Sequence, residues 1–249
     1  MRHQETVMGI PMSLDVPGAR RDHVWGLVSD AFEVLHAANR RFSRFDASSE
    51  VSRYGRGEIV PWEMSDDLRE VLAVAERASA DSGGAFSVRR PDGSLDTDGV
   101  VKGWAAQRAV DVLRAGGLTR FCLNAGGDVA AAGEPEPGRG WNVGVRDPAD
   151  AQRMLAILEV RDGAVATSGL YERGHHVWDG RTGEPASGLV SATVVAADLM
   201  TADVLATTVL ALGPEGVDWA RDHGAVAVIA VLPDGRVTTG GAAREGAFV

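Results

Sequence analysis

The sequence predicts an α+β fold, in which helices pack against a mixed or antiparallel sheet within one compact domain. Helical periodicity dominates the first half of the chain and returns near residues 200–212, whereas short β-rich runs cluster in the second half. Strands and helices do not alternate strictly, as they would in a doubly wound parallel sheet. No repeat, low-complexity linker or sharp change of composition divides the 249 residues, so a single domain over 1–249 is expected.

Composition and charge exclude several classes of protein. Hydrophobic residues make up 45% of the chain and charged residues 24%, which is ordinary for a folded, soluble protein. The net charge of −10, with no basic stripe, argues against a nucleic-acid partner. The lone Cys122 cannot form an internal disulfide and is interpreted as a small buried hydrophobe. No segment has the pattern of a signal peptide or a membrane span, so a cytoplasmic location is expected.

Apolar periodicity and capping residues predict the elements before residue 120. The first is a strand over 5–16, which Pro11 makes bulged or an edge strand, and a helix over 21–41 follows it. Next come a short helix over 50–54 capped by Ser49, and a longer helix that Ser65 opens and Gly83 and Gly84 stop. A short strand over 84–88 and a helix over about 100–115 complete this half.

Strands predominate after residue 120. FCLNAGGDVAAAG (121–133) is predicted to form strand, glycine turn and strand; its glycines could admit a ligand, although a plain bulged hairpin is the simpler interpretation. Further strands are predicted in WNVGVRDP, MLAILEV, AVATSG, HHVW and LVSATVVAA, the last two joined by a turn. A helix over 200–212, a short helix over 214–223 and a final hairpin from AVAVIAVLP and RVTTG complete the chain.

The helix over 200–212 carries the two side chains on which the functional hypothesis centres. Asp203 and Thr207 are four residues apart, so both project from one helix face, one turn apart. A carboxylate and a hydroxyl in this arrangement can bind a hard cation. The spacing alone also fits a solvated aspartate beside a threonine bonded to its own helix, and by itself it favours this second interpretation.

Other polar and aromatic residues each have a chemical and a purely structural interpretation. His176, in a strand-like segment, is a candidate general base or an ordinary strand histidine. Lys102, just inside a helix N-terminus, is a candidate phosphate ligand or a surface lysine. Asp96 fits a turn as well as a ligand site, and core packing is the default for Phe45 and Phe86.

Taken in order, several stretches of the sequence resemble the FAD:protein FMN transferases, the ApbE-like flavin transferases. The stretches are MGIPMSLDV (8–16), FSRFDASSEVSR (42–53), GGAFSV (83–88), LDTDGVVKGWAAQRAVDVL (95–113), LNAGGDVAAAG (123–133), ATSGLYER (166–173), HHVWDGRTGEPA (175–186) and SATVVAADLMTADVLATTVLALG (191–213). Each stretch is weak alone, but the ordered set covers most of the chain and is specific.

The resemblance implies an ApbE-like fold, related to the T-fold, and a flavin-transfer activity. Such enzymes bind FAD with Mg²⁺ and attach FMN through its phosphate to a Ser or Thr hydroxyl of an acceptor protein, releasing AMP. Asp203, Thr207 and the backbone carbonyl of Gly99 match the family's metal positions, and His176 matches its base for the acceptor hydroxyl. The residues that match FAD contacts are Met8, Phe45, Ala85, Phe86, Ser87, Asp96, Lys102 and Trp178.

The chain departs from the family pattern around the flavin. Only RRPDGS separates GAFSV from LDTDG, and Ser87, Phe45 and Gly180 replace the usual aspartate, tyrosine and proline. A trimmed or more open flavin pocket is therefore expected. The family's lipobox is not found in the sequence, so the family's location is not carried over to this chain. Two alternatives to the transferase stay open: an Mg²⁺-dependent hydrolase that splits FAD into FMN and AMP, and a flavin-binding protein without turnover.

Overall fold

Strands from both halves of the chain build one large antiparallel sheet. The structure is a computed structural model that describes residues 1–170 and 177–241. Its strands are β1 (Arg2–Val7), β2 (Ile10–Asp15), β3 (Phe121–Ala125), β4 (Asp128–Ala132), β5 (Trp141–Arg146), β6 (Met154–Val160), β7 (Gly163–Gly169), β8 (Trp178–Asp179), β9 (Glu184–Pro185), β10 (Ser191–Ala196), β11 (Ala227–Val231) and β12 (Val237–Gly241). The sheet order is β1-β2-β3-β4-β7-β10-β11-β12, and β5–β6 and β8–β9 pair separately.

Two helices from distant parts of the chain pack together over one face of this sheet. The helices are α1 (Arg21–Phe42), α2 (Glu50–Gly55), α3 (Asp66–Asp81), α4 (Asp98–Ala115), α5 (Leu199–Leu212) and α6 (Gly216–Asp222), with a short 3₁₀ turn at Pro61–Glu63. α5 is apolar around nearly its whole circumference, as a buried helix must be, and it packs against α4, β7 and β10. The predicted α+β class is confirmed.

The second face of the sheet is covered in part by the β5–β6 hairpin. Side chains alternate along a strand, so Ala130 faces the helices while Val129 faces the other way. Val129 and Val165 of the sheet pack with Val143 and Val160 of the hairpin in a separate apolar cluster. Among the helices of the described residues, none is long and apolar enough to cross a membrane.

Two of the predicted strands are wrong. The expected single strand over 5–16 is a hairpin, because Met8 and Gly9 both adopt positive φ (55° and 74°) and turn the chain between β1 and β2. The expected strand over 84–88 is absent. That segment is buried but irregular: the Phe86 N–H donates to Ser82 Oγ (3.0 Å), and the Ala85 carbonyl accepts from the Gly180 N–H (2.9 Å).

The other elements follow the sequence prediction within a few residues. Ser49 and Ser65 cap α2 and α3 as expected, each accepting a backbone N–H through its side chain. Of the strand predicted in HHVW, Val177 and Trp178 are described. Trp178 alone of these two lies in a strand, β8, which pairs with β9 and not with β10. Residues 175 and 176 of that prediction lie outside the described residues.

Candidate functional site

A cleft of about 750 Å³ opens beside the paired helices α4 and α5. Its wall is formed by the β1–β2 turn, the end of α1 with the loop after it, the segment before α4, the first turns of α4, the end of β7 and the inner face of α5. Of the residues that the resemblance implies, those lining the cleft are Met8, Phe45, Phe86, Ser87, Asp96, Gly99, Lys102, Trp178, Asp203 and Thr207. Ala85 is buried behind it, and His176 lies outside the described residues.

Asp203 is one of two buried acids that line the cleft within the described part of the chain. Its residue is 1% exposed, so the solvated aspartate allowed by the spacing is excluded. Oδ2 accepts a hydrogen bond from the backbone N–H of Gly103 (2.8 Å), and Oδ1 accepts one from Lys102 Nζ (2.9 Å). Both donors come from α4. One carboxylate therefore joins the two central helices and presents a charged oxygen to the cleft.

A second buried carboxylate shares the same lysine. Asp128, at the first position of β4, is ion-paired with the Lys102 ammonium through Oδ2, and its Oδ1 accepts the Thr167 N–H (3.0 Å). Buried carboxylates are stable only when paired and hydrogen-bonded. Lys102 is thus neither a surface lysine nor free in the cleft, because its ammonium lies between Asp128 and Asp203.

Thr207 faces away from its own helix backbone. Its hydroxyl is hydrogen-bonded to the hydroxyl of Ser168 on β7 (2.9 Å), one turn along α5 from Asp203. Gly99 of α4 lies directly across, since a Cβ built there would be 3.3 Å from Thr207 Cγ2. Gly99, Thr207 and Asp203 therefore border one small region of the cleft.

This donor set fits the Mg²⁺ that the resemblance implies. All three groups supply oxygen, and Mg²⁺ takes one or two carboxylates and completes its octahedron with phosphate oxygens and water. In a regular α-helix the Gly103 N–H donates to the Gly99 carbonyl. Here the Gly103 N–H donates to Asp203, so the Gly99 carbonyl does not have this donor to itself and retains capacity to bind a cation. Within residues 1–170 and 177–241, no cluster of three or more His, Cys, Asp or Glu side chains forms an alternative metal site.

Phe45 stands at the mouth of the cleft. It is 84% exposed, so the default expectation of core packing is wrong for this residue, whereas Phe86 is buried. The guanidinium of Arg44 lies 4.4 Å from the Phe45 ring centroid, and Arg44 Nε donates to Asp98 Oδ2 (3.1 Å). An exposed ring stacked with a cation is a platform on which a planar ligand can lie.

The segment before α4 is fixed by its own polar contacts. Arg90 Nε donates to Asp96 Oδ2 (2.8 Å), and Asp96 Oδ1 accepts the Asp98 N–H (3.1 Å). Ser87 Oγ is bonded to both the N–H and the carbonyl of Arg89, each at 3.0 Å. These hydrogen bonds hold Ser87 and Asp96 at the wall of the cleft in one conformation, even though the segment between them is short.

Gly180 explains one departure from the family pattern. A Cβ at this position would lie 2.3 Å from the Gly84 carbonyl oxygen and 2.8 Å from Ser87 Cβ, so a residue other than glycine cannot fit without a shift. The neighbouring Asp179 is held by Arg181, whose guanidinium hydrogen bond keeps the pKa of that carboxyl below its usual value. The loop after β8 therefore packs directly on residues 84–87 and positions Trp178 at the cleft.

Sequence reasoning missed three participants: Asp128, Ser168 and Arg90. Asp128 ends the glycine turn that was interpreted as a plain hairpin, and its role depends on Lys102, 26 residues away. Ser168 lies in the stretch ATSG, which has the pattern of a strand and indicates no chemistry by itself. Arg90 belongs to the short segment RRPDGS, whose turn residues give no sign of its ion pair with Asp96.

Fold and site together define an α+β protein with a cleft that combines buried carboxylates, hydroxyls and one lysine. The model of the ApbE family matches residues 8–90 and 87–230. The chain therefore belongs to the ApbE family, as its ordered motifs indicated.

Relatives and solved structures agree with this assignment. An FAD:protein FMN transferase of Klebsiella pneumoniae is 34% identical over 138 residues, 51% of this chain and 42% of that protein. Another from Rhodobacter capsulatus is 35% identical over 159 residues, 59% of this chain and 30% of that protein. The match spans less than half the length of either relative. The flavin transferase ApbE from Vibrio cholerae has the same fold, with a TM-score of 0.81 at 22% identity over 100% of this chain and 99% of that one.

Proposed function

We propose that this protein catalyses the Mg²⁺-dependent transfer of FMN from FAD to a Ser or Thr hydroxyl of an acceptor protein, with release of AMP. One observation carries the proposal: Asp203, Thr207, Gly99 and Lys102 converge in a single cleft. Curated relatives named FAD:protein FMN transferase, 34% and 35% identical over the matched stretches, support it. The parts of the proposal that concern Mg²⁺ and the Ser or Thr hydroxyl of the acceptor are inferred from the resemblance of the ordered motifs.

The cleft suits a dinucleotide that carries a flavin ring and a pyrophosphate. Its volume of about 750 Å³ is within the range of about 300–1,000 Å³ that is usual for organic ligands. Phe45 and Trp178 at its wall offer aromatic surface for the ring system. Lys102 lies in the second turn of α4, where the positive end of the helix dipole adds to its charge. With a divalent cation held at Asp203, the positive charges at this end of the cleft would outweigh the carboxylates of Asp128 and Asp203 and would favour phosphate.

Asp203, Thr207 and the Gly99 carbonyl would hold the metal ion. When bound there, Mg²⁺ supplies neutralisation of the charge that grows on the pyrophosphate as its P–O bond breaks. Lys102 supplies a second positive charge to the phosphates and, through its ion pair with Asp128, keeps that charge at the cleft wall. Burial of this wall strengthens each of these interactions relative to water.

The transfer itself needs a nucleophile and a base. The oxygen of the acceptor hydroxyl forms a bond to the FMN phosphorus, the bond from that phosphorus to the bridging oxygen breaks, and AMP leaves with the bonding electron pair. The resemblance assigns the hydroxyl proton to His176, and a histidine is suited to accept it near neutral pH. The role of His176 rests on that match alone, since the residue lies outside the described part of the chain.

The direct test incubates the protein with FAD, Mg²⁺ and each candidate acceptor. Intact-mass and peptide mass spectrometry should show FMN on a Ser or Thr, and chromatography should show AMP in equal amount. AMP formed at the same rate without any acceptor would identify the hydrolase instead. Tight FAD binding with neither adduct nor AMP, unchanged in Asp203→Ala, would identify a flavin-binding protein without turnover and contradict the proposal.

A further inference from the structure

The positive charge in the cleft that contacts the two buried carboxylates is a lysine in a chain that otherwise uses arginine. Lys102 is the only lysine among the 249 residues, and the other 24 Lys or Arg positions are all arginine. Its side chain is 23% exposed and contacts both Asp128 and Asp203, whose carboxylates are buried. A lysine is a compact charge on a flexible stem, whereas arginine is a rigid fork that needs more room.

We propose that Lys102 is an internal counter-cation of the metal site. Its ammonium bridges Asp203 and Asp128 while no divalent cation is bound, and it moves onto Asp128 alone when a divalent cation binds Asp203. Asp128 is then a positioning residue that acts through Lys102. The inference rests on the proposed function, because it takes Asp203 as the metal ligand.

The contacts identify the oxygen at which the two cations compete. Oδ2 of Asp203 is held by the Gly103 N–H (2.8 Å), so Oδ1, which accepts from Lys102 (2.9 Å), is the oxygen that a cation in the cleft would approach. A divalent cation and an ammonium on one carboxylate oxygen repel each other at short range, and the buried surroundings screen this repulsion weakly. Binding of the divalent cation therefore favours departure of the ammonium from Oδ1.

Asp128 offers the ammonium a position that remains when Asp203 is taken. Its Oδ1 is fixed by the Thr167 N–H on the central sheet (3.0 Å), while Oδ2 already faces Lys102. Without a cation, Asp128 would be a buried charge without compensation, which is strongly destabilising. The same ammonium thus satisfies Asp128 in both states, and a small rotation of its flexible stem suffices to release Asp203.

The single lysine makes a selective measurement possible. In protein grown with lysine labelled ¹³C at Cε and ¹⁵N at Nζ, the chain gives one lysine side-chain signal. Titration with Mg²⁺ in the absence of FAD should shift this signal saturably in the wild type and leave it in place in Asp203→Asn. Calorimetric Mg²⁺ binding without any shift would overturn the inference while leaving the metal site intact. No Mg²⁺ binding, even with FAD present, would contradict the proposed function itself.

Metal affinity of variants provides a second readout that does not use activity. Lys102→Met should bind Mg²⁺ at least tenfold more tightly than wild type in the absence of FAD, because the competing ammonium is gone. Arg114→Met removes the same charge from an exposed position on α4 and should leave the affinity unchanged. Weaker or equal binding by Lys102→Met, with a wild-type circular dichroism spectrum, would overturn the inference.

A double-mutant comparison distinguishes an effect of Asp128 that acts through Lys102 from a direct effect of its negative charge on Mg²⁺. Asp128→Asn should weaken Mg²⁺ binding severalfold in the wild type, because Lys102 then has only Asp203 as a partner. In the Lys102→Met background the same substitution should have little effect, since there is no ammonium to position. An equal loss in both backgrounds would show that Asp128 acts only as a distant charge and would contradict its role as a positioning residue.

Discussion

Thr207 and Thr208 are neighbours on α5, but their hydroxyls have different partners. Thr208 is fully buried and donates to the carbonyl of Val204 in its own helix (2.7 Å). Thr207 instead meets the hydroxyl of Ser168 across the cleft wall (2.9 Å). The first contact is internal to one helix, while the second leaves an oxygen at the candidate metal site. This contrast gives a matched pair of variants.

Thr207→Val should lower Mg²⁺-dependent AMP release from FAD by about tenfold or more, since loss of about 1.4 kcal/mol of transition-state stabilisation reduces the rate tenfold. The raised Mg²⁺ concentration needed for half-maximal rate would show that a metal ligand was lost. Thr208→Val should lower the free energy of unfolding by about 1 kcal/mol, because one hydrogen bond is lost, and should leave the rate of AMP release unchanged. Equal effects of the two variants on the rate would contradict the assignment of Thr207.

Cys122 is partly buried, not fully buried as its sequence context predicted, and it packs against the apolar cluster under the β5–β6 hairpin. Burial raises the pKa of its thiol to about 12, with a further contribution from the charge of Asp15. Only the thiolate reacts readily with alkylating agents. Native protein at pH 8 should therefore consume almost no iodoacetamide over an hour, and one equivalent per chain once it is unfolded in guanidinium. Rapid labelling of the native protein would contradict this burial.

At the scale of elements, the close approach of α4 and α5 depends on Gly103. A Cβ at this position would lie 2.6 Å from Asp203 Cβ and 2.8 Å from the Leu199 carbonyl oxygen. Glycine is costly in a helix, so its presence there has to serve packing. The absent side chain lets Asp203 reach the Gly103 N–H and holds the two helices at the distance the site requires.

Gly103→Ala should destabilise the protein by about 1–3 kcal/mol, as overpacking of a core does. Gly26→Ala provides the control, because Gly26 is exposed on α1 and an added Cβ meets nothing within 4 Å. That substitution should stabilise the protein by about 0.5–1 kcal/mol through higher helix propensity. Chemical denaturation of both variants measures the difference, and a neutral or stabilising Gly103→Ala would contradict the packing argument.

The first strand is tied to α1 through an acid and two histidines. Glu5 is bonded to His36 on α1 (2.6 Å) and to His3 on its own strand (2.7 Å), and the hydrogen bond from His36 is the largest cause of its lowered pKa. A lowered pKa contributes stability above the ordinary value of 4.5, and this contribution is lost as the pH falls through the folded-state pKa.

Glu5→Gln should therefore be less stable than wild type at pH 6, and the difference should shrink as the pH is lowered below 4.5. Urea denaturation of both proteins at a series of pH values gives the two curves. His36→Gln removes the main partner while keeping the carboxyl, and should reproduce most of the loss. A stability difference that is constant from pH 6 to pH 3 would show that the carboxylate makes no such contribution.

The sequence predicted most elements because each follows from local patterns. Periodicity and a serine cap sufficed for α2 and α3, and a glycine turn sufficed for the β3–β4 hairpin. The β1–β2 hairpin was missed because its turn contains Met8 with positive φ, a conformation that non-glycine residues seldom adopt. The apolar run at 84–88 has the sequence pattern of a short strand, but in the structure its hydrogen-bond partners are loop residues and not strands.

For the whole molecule, the site depends on contacts that no local pattern contains. Lys102 and Asp203 are 101 residues apart, and Asp128 and Thr167 are 39 apart, yet all four meet where α4 and α5 cross the central strands. Resemblance to a family supplied Asp203 and Lys102 as separate positions. It did not supply Asp128, because the need for a partner of Lys102 becomes visible only once the lysine is seen to be partly buried.

The binding of FAD and Mg²⁺ should therefore stabilise the entire protein and not one part of it. A ligand at 100 times its dissociation constant adds about 2.7 kcal/mol of stability. For a domain of this size that corresponds to a rise in Tm of about 5–11 °C.

Scanning calorimetry should show one transition for residues 1–249, raised by FAD with Mg²⁺ and raised less by FAD with a chelator. In Asp203→Asn, Mg²⁺ should add nothing to the shift caused by FAD, because the ligand that couples the metal to the helices is gone. Two separate transitions would contradict the single-domain prediction. If Tm of the wild type rose equally with and without Mg²⁺, the result would contradict a contribution of a metal ion at Asp203 and Thr207 to the binding of FAD.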